Sequence, residues 1–172
     1  GTAWQRGVRI YVPHIVSRRD GRMVFVPLEE GAAVRGNMFG IAEPLHGSRG
    51  RLPVRHLDTI LVPLVGFDAQ GHRLGMRAGY YDRALRPRLD RAQPFRRPRL
   101  IGVAYSIQQV DRLDPAPWDV ALDLVVTEFA VIAFPGGRPT LVETAPGVSV
   151  QQVLAATEAE LVVPDKVTEM AI

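Results

Sequence analysis

Apolar residues gather in a few separated stretches, and their spacing sets the expected elements. "VRIYVPHI" (8–15) and "RMVFVPL" (22–28) are rich in β-branched and aromatic residues. They flank the polar "SRRDG" and so predict neighbouring strands. "DTILVPLVGF" (58–67) and "LIGVAY" (100–105) are nearly continuous apolar runs, the pattern of strands buried on both faces of a parallel sheet. "LDLVVTEFAVIAF" (122–134) is too long for one ordinary strand and divides near Thr127 and Glu128. "PGGR" (135–138) turns the chain and "PTLVET" (139–144) returns it. Tyr81 to Leu89 suits a short helix. In "GVSVQQVLAATEAE", Ser149 and Gln152 have capping-box spacing, and Val150, Val153, Leu154 and Thr157 share one helical face. "LVV" (161–163) predicts a last short strand, stopped at Pro164. Glu29 to Arg55 is rich in Gly, Pro and polar residues, and a structureless connection of that length is usually functional. Buried strands interspersed with helices predict an α/β protein, with a mixed, mainly parallel sheet flanked by helices.

Composition narrows this picture. The 172 residues suffice for one ordinary domain, and 47% hydrophobic with 23% charged residues is a globular balance. The chain has no cysteine, which removes disulfides, thiolate chemistry and Cys-type zinc sites together. No apolar run approaches the ~20 residues of a bilayer span, and "GTAWQRGVRI" has no signal-peptide pattern. A cytoplasmic protein without a membrane anchor is expected. The net charge is +3, and every basic residue except Lys166 is Arg. Seven arginines fall between Arg83 and Arg99. A solvated helix end and linker, a flank for a polyanionic ligand, and a nucleic-acid surface all suit them. No nucleic-acid motif accompanies the cluster, so no nucleic-acid partner is expected. His14, His46, His56 and His72 lack metal-ligand spacing and are read as turn or surface residues.

Candidate chemistry concentrates in "LVPLVGFDAQGHRLGMRAGYYDRAL" (61–85). A buried strand leads to a glycine-containing turn, and a helix starts near Tyr80 or Tyr81. Open α/β sheets bind ligands beyond the carboxyl ends of their strands. There Gly75 and Gly79 would let backbone N–H groups approach an anion, and Asp82 would offer a hard oxygen to phosphate-bound magnesium. The same residues equally suit a plain turn followed by a helix start.

This segment resembles the 5-formyltetrahydrofolate cyclo-ligase (5,10-methenyltetrahydrofolate synthetase) family, whose hallmark is "VPxxxFD" followed by "G-x-RLG-x-G-x-GYYDR". The likeness extends upstream to "NMFGIAEP" and downstream to "IGVAYSIQQVDRLDPAPWDVALDLVVTE", covering about residues 1–128. It implies a three-layer fold of the CoA-transferase type, with ATP and Mg2+ as cofactors and 5-formyltetrahydrofolate as substrate. Phosphorylation turns the formyl oxygen into a leaving group, and attack by the neighbouring folate nitrogen gives 5,10-methenyltetrahydrofolate. ATP contacts are carried over to Arg73, Leu74, Gly75, Met76, Arg77, Ala78, Gly79, Tyr80 and Tyr81. Folate contacts are carried over to Met76, Arg77, Ala78, Gly79 and Tyr80, with Phe39 and Glu43 bordering the pocket. Asp82 and Asp119 become the magnesium pair. Arg77 stands where the family pattern has glycine. It either strains the loop by roughly 1 kcal/mol, if the position needs a positive φ, or turns its guanidinium toward the phosphates.

Two departures from the family pattern are expected to matter. The family's amino-terminal basic helix and the Glu-bearing segment after it have no counterpart here, since Gly1 to Ile10 reads as the strand that follows them. The fold is therefore expected to be truncated at its amino end. The tail, about 123–172, is similar to the carboxyl end of a 3-oxoacid CoA-transferase β subunit in "VVTEFAVIAF", "LVETAPGV" and "ATEA". This implies a cyclo-ligase-like domain over 1–128 and a segment over 129–172 packing on the same sheet. Within the tail, Glu143 reads as structural. A CoA-transferase-like fragment or fusion and a non-catalytic nucleotide-binding remnant remain as alternatives to the enzyme.

Overall fold

Short polar side chains build the first turn. Ser17 Oγ donates to Asp20 Oδ2 at 2.8 Å and accepts from Asp20 N at 3.3 Å. This closes β1 (Ile10–Ser17) on β2 (Arg22–Leu28) as an antiparallel hairpin with Ile10 opposite Leu28 and His14 opposite Val24. Phe25 and Val26 of β2 enter the core. The computed structural model describes residues 2–37, 40–76, 79–89, 98–157 and 159–171. The long connection after β2 is partly ordered by a small antiparallel pair, β3 (Val34–Gly36) and β4 (Ala42–Pro44).

The main sheet draws on strands spread along the rest of the chain. β5 (Thr59–Pro63) is followed by the tight hairpin of β6 (Gly66–Phe67) and β7 (Arg73–Leu74). Then come α1 (Tyr80–Leu85), a 3₁₀ turn over Arg86–Leu89, and β8 (Arg99–Val103). β9 (Leu124–Val126), β10 (Ala130–Ala133), β11 (Thr140–Thr144), α2 (Val150–Ala156) and β12 (Thr168–Glu169) complete the order. Among the described residues six strands pair in the order β12, β11, β10, β9, β8, β5. β5, β8 and β9 run parallel, as do β11 and β12, whereas β10 is antiparallel to both its neighbours. The protein is thus α/β with a mixed, mainly parallel sheet. Helix is sparse, two short segments among the described residues, neither long enough to cross a membrane.

One face of the sheet carries the core. Val62, Leu100, Val125 and Leu141 from four strands are buried against Leu85 of α1 and Val153 of α2. Each such side chain contributes about 1.5–3 kcal/mol relative to exposure. This packing corrects the reading of 58–67 and 100–105 as strands buried on both sides. β5 alternates, with Ile60 and Val62 inward while Thr59, Leu61 and Pro63 face solvent, and Val103 of β8 is exposed as well. β5 is the sheet edge among the described residues, and only one of its faces is covered. Composition reports that a run is apolar, not whether anything lies over it.

The carboxyl-terminal elements follow their local signals. Thr127 Oγ1 accepts from Phe129 N and Ala130 N, both at 3.2 Å, and so breaks 122–134 into β9 and β10. Ser149 Oγ accepts from Gln152 N at 3.3 Å, while Gln152 Oε1 accepts from Ser149 N at 2.8 Å, the capping box of α2. On the expected apolar face Val153 is fully buried and Val150 packs on the core, but Leu154 is exposed and Thr157 ends the helix. Leu161–Val163 forms no strand. Val162 makes a single bridge to Thr140, Leu161 is buried, and the ladder resumes only at β12. Three residues before a proline are too few to propagate pairing.

Candidate functional site

A buried carboxylate shapes the turn that aims the glycine loop. Asp68, between β6 and β7, is 0% exposed. Its Oδ1 accepts from the backbone N–H of Gln70 and of His72, both at 2.9 Å. Its Oδ2 accepts from Leu113 N at 3.0 Å and lies 2.9 Å from His72 Nδ1. Burial pushes this carboxyl up, but the bonds from Leu113, the His72 ring and backbone, and Gln70 outweigh it and hold the group below its ordinary value. Gly71 closes the turn at φ 81°. A Cβ there would stand 2.8 Å from the Phe134 ring and 3.1 Å from Leu122 O, so the position requires glycine. The turn is rigid, and it fixes the direction of Arg73 in β7.

Arg73 points inward. Its side chain is only 5% exposed, and Nη2 pairs with Asp82 Oδ1 in the first turn of α1. Its Nε is buried and meets no acceptor among the described residues. A buried donor without a partner costs about 1–3 kcal/mol, so an incoming acceptor would be favoured there. Gly75 lies alongside, where a Cβ would be 3.2 Å from Arg73 Nη1. Gly75 therefore makes room for the guanidinium. Gly79 is the residue with left-handed backbone, φ 63°, at the N-cap of α1, and its carbonyl accepts from Arg83 N at 3.1 Å. With six residues, α1 has little aligned dipole, and the positive charge at this place comes from Arg73 and from Arg83, whose Nη1 lies 3.1 Å from where a Cβ on Gly79 would stand.

The β1–β2 hairpin braces α1. Tyr81 meets Phe25 edge-on with centroids 6.5 Å apart. Burial pushes the Tyr81 phenol up against the opposing pull of the Arg73 charge. Tyr80 is half-buried, whereas Leu74 and Met76 are exposed. Arg77 and Ala78 lie outside the described residues, as does Phe39.

Asp119, the second expected metal carboxylate, caps its own turn, its Oδ2 accepting from Ala116 N at 2.9 Å. The strap that carries it faces the end of α1, since a cleft of about 450 Å³ is lined by Arg86, Leu89, Pro117 and Trp118. Among the described residues no three His, Asp or Glu side chains converge as a metal cage. Magnesium ordinarily takes one or two carboxylates and completes its shell with water and substrate phosphates. Asp82, beside Arg73, is a carboxylate of the kind a phosphate-borne ion takes.

Glu43 is engaged elsewhere. Its Oε1 accepts from Asn37 Nδ2 at 2.8 Å and from Ile15 N at 3.4 Å. Its Oε2 lies 2.7 Å from His14 Nδ1, at ion-pairing distance though not aligned as a hydrogen bond. Glu43 thus ties β1 to β4 and Asn37. The surface-or-turn reading of the histidines needs correcting at His14, which is 19% exposed within β1. His72 is part of the Asp68 turn, in keeping with that reading.

The sequence pattern of the 5-formyltetrahydrofolate cyclo-ligase family matches residues 1–128. The chain belongs to that family. It is 35% identical over 125 residues to the cyclo-ligase of Escherichia coli K12, an alignment covering 72% of this chain and 65% of that protein. It is 49% identical over 72 residues to the cyclo-ligase of Mycoplasma pneumoniae, covering 42% of this chain and 40% of that one. The solution structure of 5,10-methenyltetrahydrofolate synthetase from Aquifex aeolicus superposes with a TM-score of 0.60 at 33% identity, over 76% of this chain and 60% of that one. The decarboxylase AibA/AibB shares the fold alone, with a TM-score of 0.53 at 14% identity over 70% of this chain and 54% of that one. The chain spans just under two thirds of the length of the Escherichia coli relative. The family match ends at residue 128, before β10, and β10 to β12 extend the same sheet.

Within this cyclo-ligase frame, sequence reasoning gave no role to Asp68 or His14. Asp68 stood in the quoted "FD" and could have been singled out as an acid preceding a tight glycine turn. His14 carried no local signal, since its partner Glu43 is 29 positions away.

Proposed function

We propose that this protein converts 5-formyltetrahydrofolate to 5,10-methenyltetrahydrofolate with ATP and magnesium, releasing ADP and phosphate, and that the Arg73–Asp82 segment holds the nucleotide phosphates. The observation that carries this reading is the buried Arg73, whose guanidinium lies beside Gly75 and whose Nε has no acceptor among the described residues. Family membership supplies the substrate class.

In this reading the guanidinium of Arg73 and the backbone around Gly75 and Gly79 orient the triphosphate. Met76 and Tyr80 border the folate. The γ-phosphoryl passes to the formyl oxygen, the adjacent folate nitrogen attacks the formyl carbon and gives up its proton to solvent, and the C–O bond breaks with its electron pair leaving on phosphate. Positioning and charge stabilisation are what such transfer asks of a protein. Magnesium, held by Asp82 and Asp119 with the phosphates, would offset the charge of the transferring group. Residues 129–172 are read as completing the sheet. Glu143 sits opposite Val131 within the β10–β11 ladder, a structural position.

Growth of methenyl-folate absorbance, with ATP, magnesium and 5-formyltetrahydrofolate supplied, tests the activity. Asp82→Ala is expected to abolish magnesium–ATP binding. Wild-type nucleotide affinity in that variant would refute the metal assignment, and nucleotide binding with no turnover would favour a non-catalytic remnant.

A further inference from the structure

Asp82 is already occupied by a cation of the protein's own. The Arg73 guanidinium pairs with it, both side chains are largely withdrawn from solvent, and no group of three His, Asp or Glu side chains converges there among the described residues. A divalent ion arriving alone at Asp82 meets the repulsion of that guanidinium, and displacing the arginine would leave a buried positive charge unpaired, which is strongly unfavourable. A phosphate group changes the balance. Arg73 Nε is a buried donor with no acceptor among the described residues, and the guanidinium already lies beside Gly75, where a Cβ would be 3.2 Å from Nη1. Phosphate oxygens at Nε give Arg73 a new anionic partner and free Asp82.

We propose that Arg73 is a positioning residue that keeps Asp82 closed to metal until a phosphate draws the guanidinium away, so that the cation enters with nucleotide. This rests on the proposed nucleotide site. It also makes phosphate and metal binding reciprocally favourable, because both act on the same ion pair.

Titration calorimetry with Mn2+ alone, near pH ~8 where carboxylates are ionised, is the test. Arg73→Met should bind Mn2+ at least roughly tenfold more tightly than wild type, a typical size for coupling of this kind. The double variant Arg73→Met/Asp82→Asn should lose that gain. A merely structural arginine would lower metal affinity or leave it unchanged when removed, and either result overturns the proposal. If Arg73→Met does not fold, the wild-type Arg73 Nε–H signal in ¹⁵N NMR decides. It should shift on adding ADP without metal and stay in place with millimolar Mg2+ alone. A shift with Mg2+ alone overturns the latch only. No change with ADP overturns both the latch and the nucleotide reading.

Discussion

Replacing Asp68 by Asn alters one functional group in a fully buried position and tests whether this turn organises the site. The carboxylate accepts four hydrogen bonds, three from backbone N–H groups of Gln70, His72 and Leu113 and one from the His72 ring. Asparagine keeps one acceptor oxygen, enough for Gln70 and His72 N, and turns an NH2 toward Leu113 N and the ring. At about 1.5–3 kcal/mol for each hydrogen bond to a charged group, two lost bonds less the relief of burying a neutral side chain leave a deficit of about 3 kcal/mol. With a urea m-value of ~2 kcal/mol/M this lowers the midpoint by about 1.5 M. The pH dependence supplies the sign. Asp68 has a folded pKa below its unfolded one, so its contribution is complete above the unfolded value and fades as pH falls through the folded value. The gap between wild type and Asp68→Asn should therefore be widest near neutrality and narrow in strong acid. A gap under about 1 kcal/mol near pH ~7, or one that does not change with pH, would refute the reasoning.

Gly71→Ala combines a positive φ with a methyl forced against Phe134 and Leu122 O, and should cost about 2–4 kcal/mol by chemical denaturation. Asp123→Ala removes a two-pronged pair with Arg88, at 2.8 and 2.7 Å, and the acceptor for Leu100 N. It should destabilise by about 3 kcal/mol, and adding Arg88→Met should recover part of that loss by removing the stranded charge. Ser149→Ala removes the α2 cap and should cost about 1 kcal/mol, read as a melting shift of ~2–4 °C.

What was legible in the sequence was local. The β1–β2 turn, the break at Thr127 and the Ser149 cap each depend on side chains within four residues of the backbone they bond, and each formed where expected. The sheet's cover was not legible. Leu61 and Ile60 are equally apolar, yet one faces solvent and the other the core, because only the three-dimensional neighbours decide which face is packed. Site residues divided on the same principle. Arg73 and Asp82 are nine positions apart in one motif and meet as an ion pair. Asp68 reaches Leu113 across 45 positions. Two of the seven arginines read as one surface cluster are in fact deployed separately, Arg88 to Asp123 and Arg83 beside Gly21. Composition counted the charges, and the fold assigned them.

Hydrogen exchange with and without magnesium and ADP measures the central claim most directly, the claim that nucleotide phosphates are held by the Arg73–Asp82 segment. The account predicts that ADP slows exchange in peptides covering 73–85, with a smaller effect on the strap around Asp119. Unchanged exchange over 73–85 in the presence of saturating nucleotide, or protection confined to another part of the sheet, would contradict it.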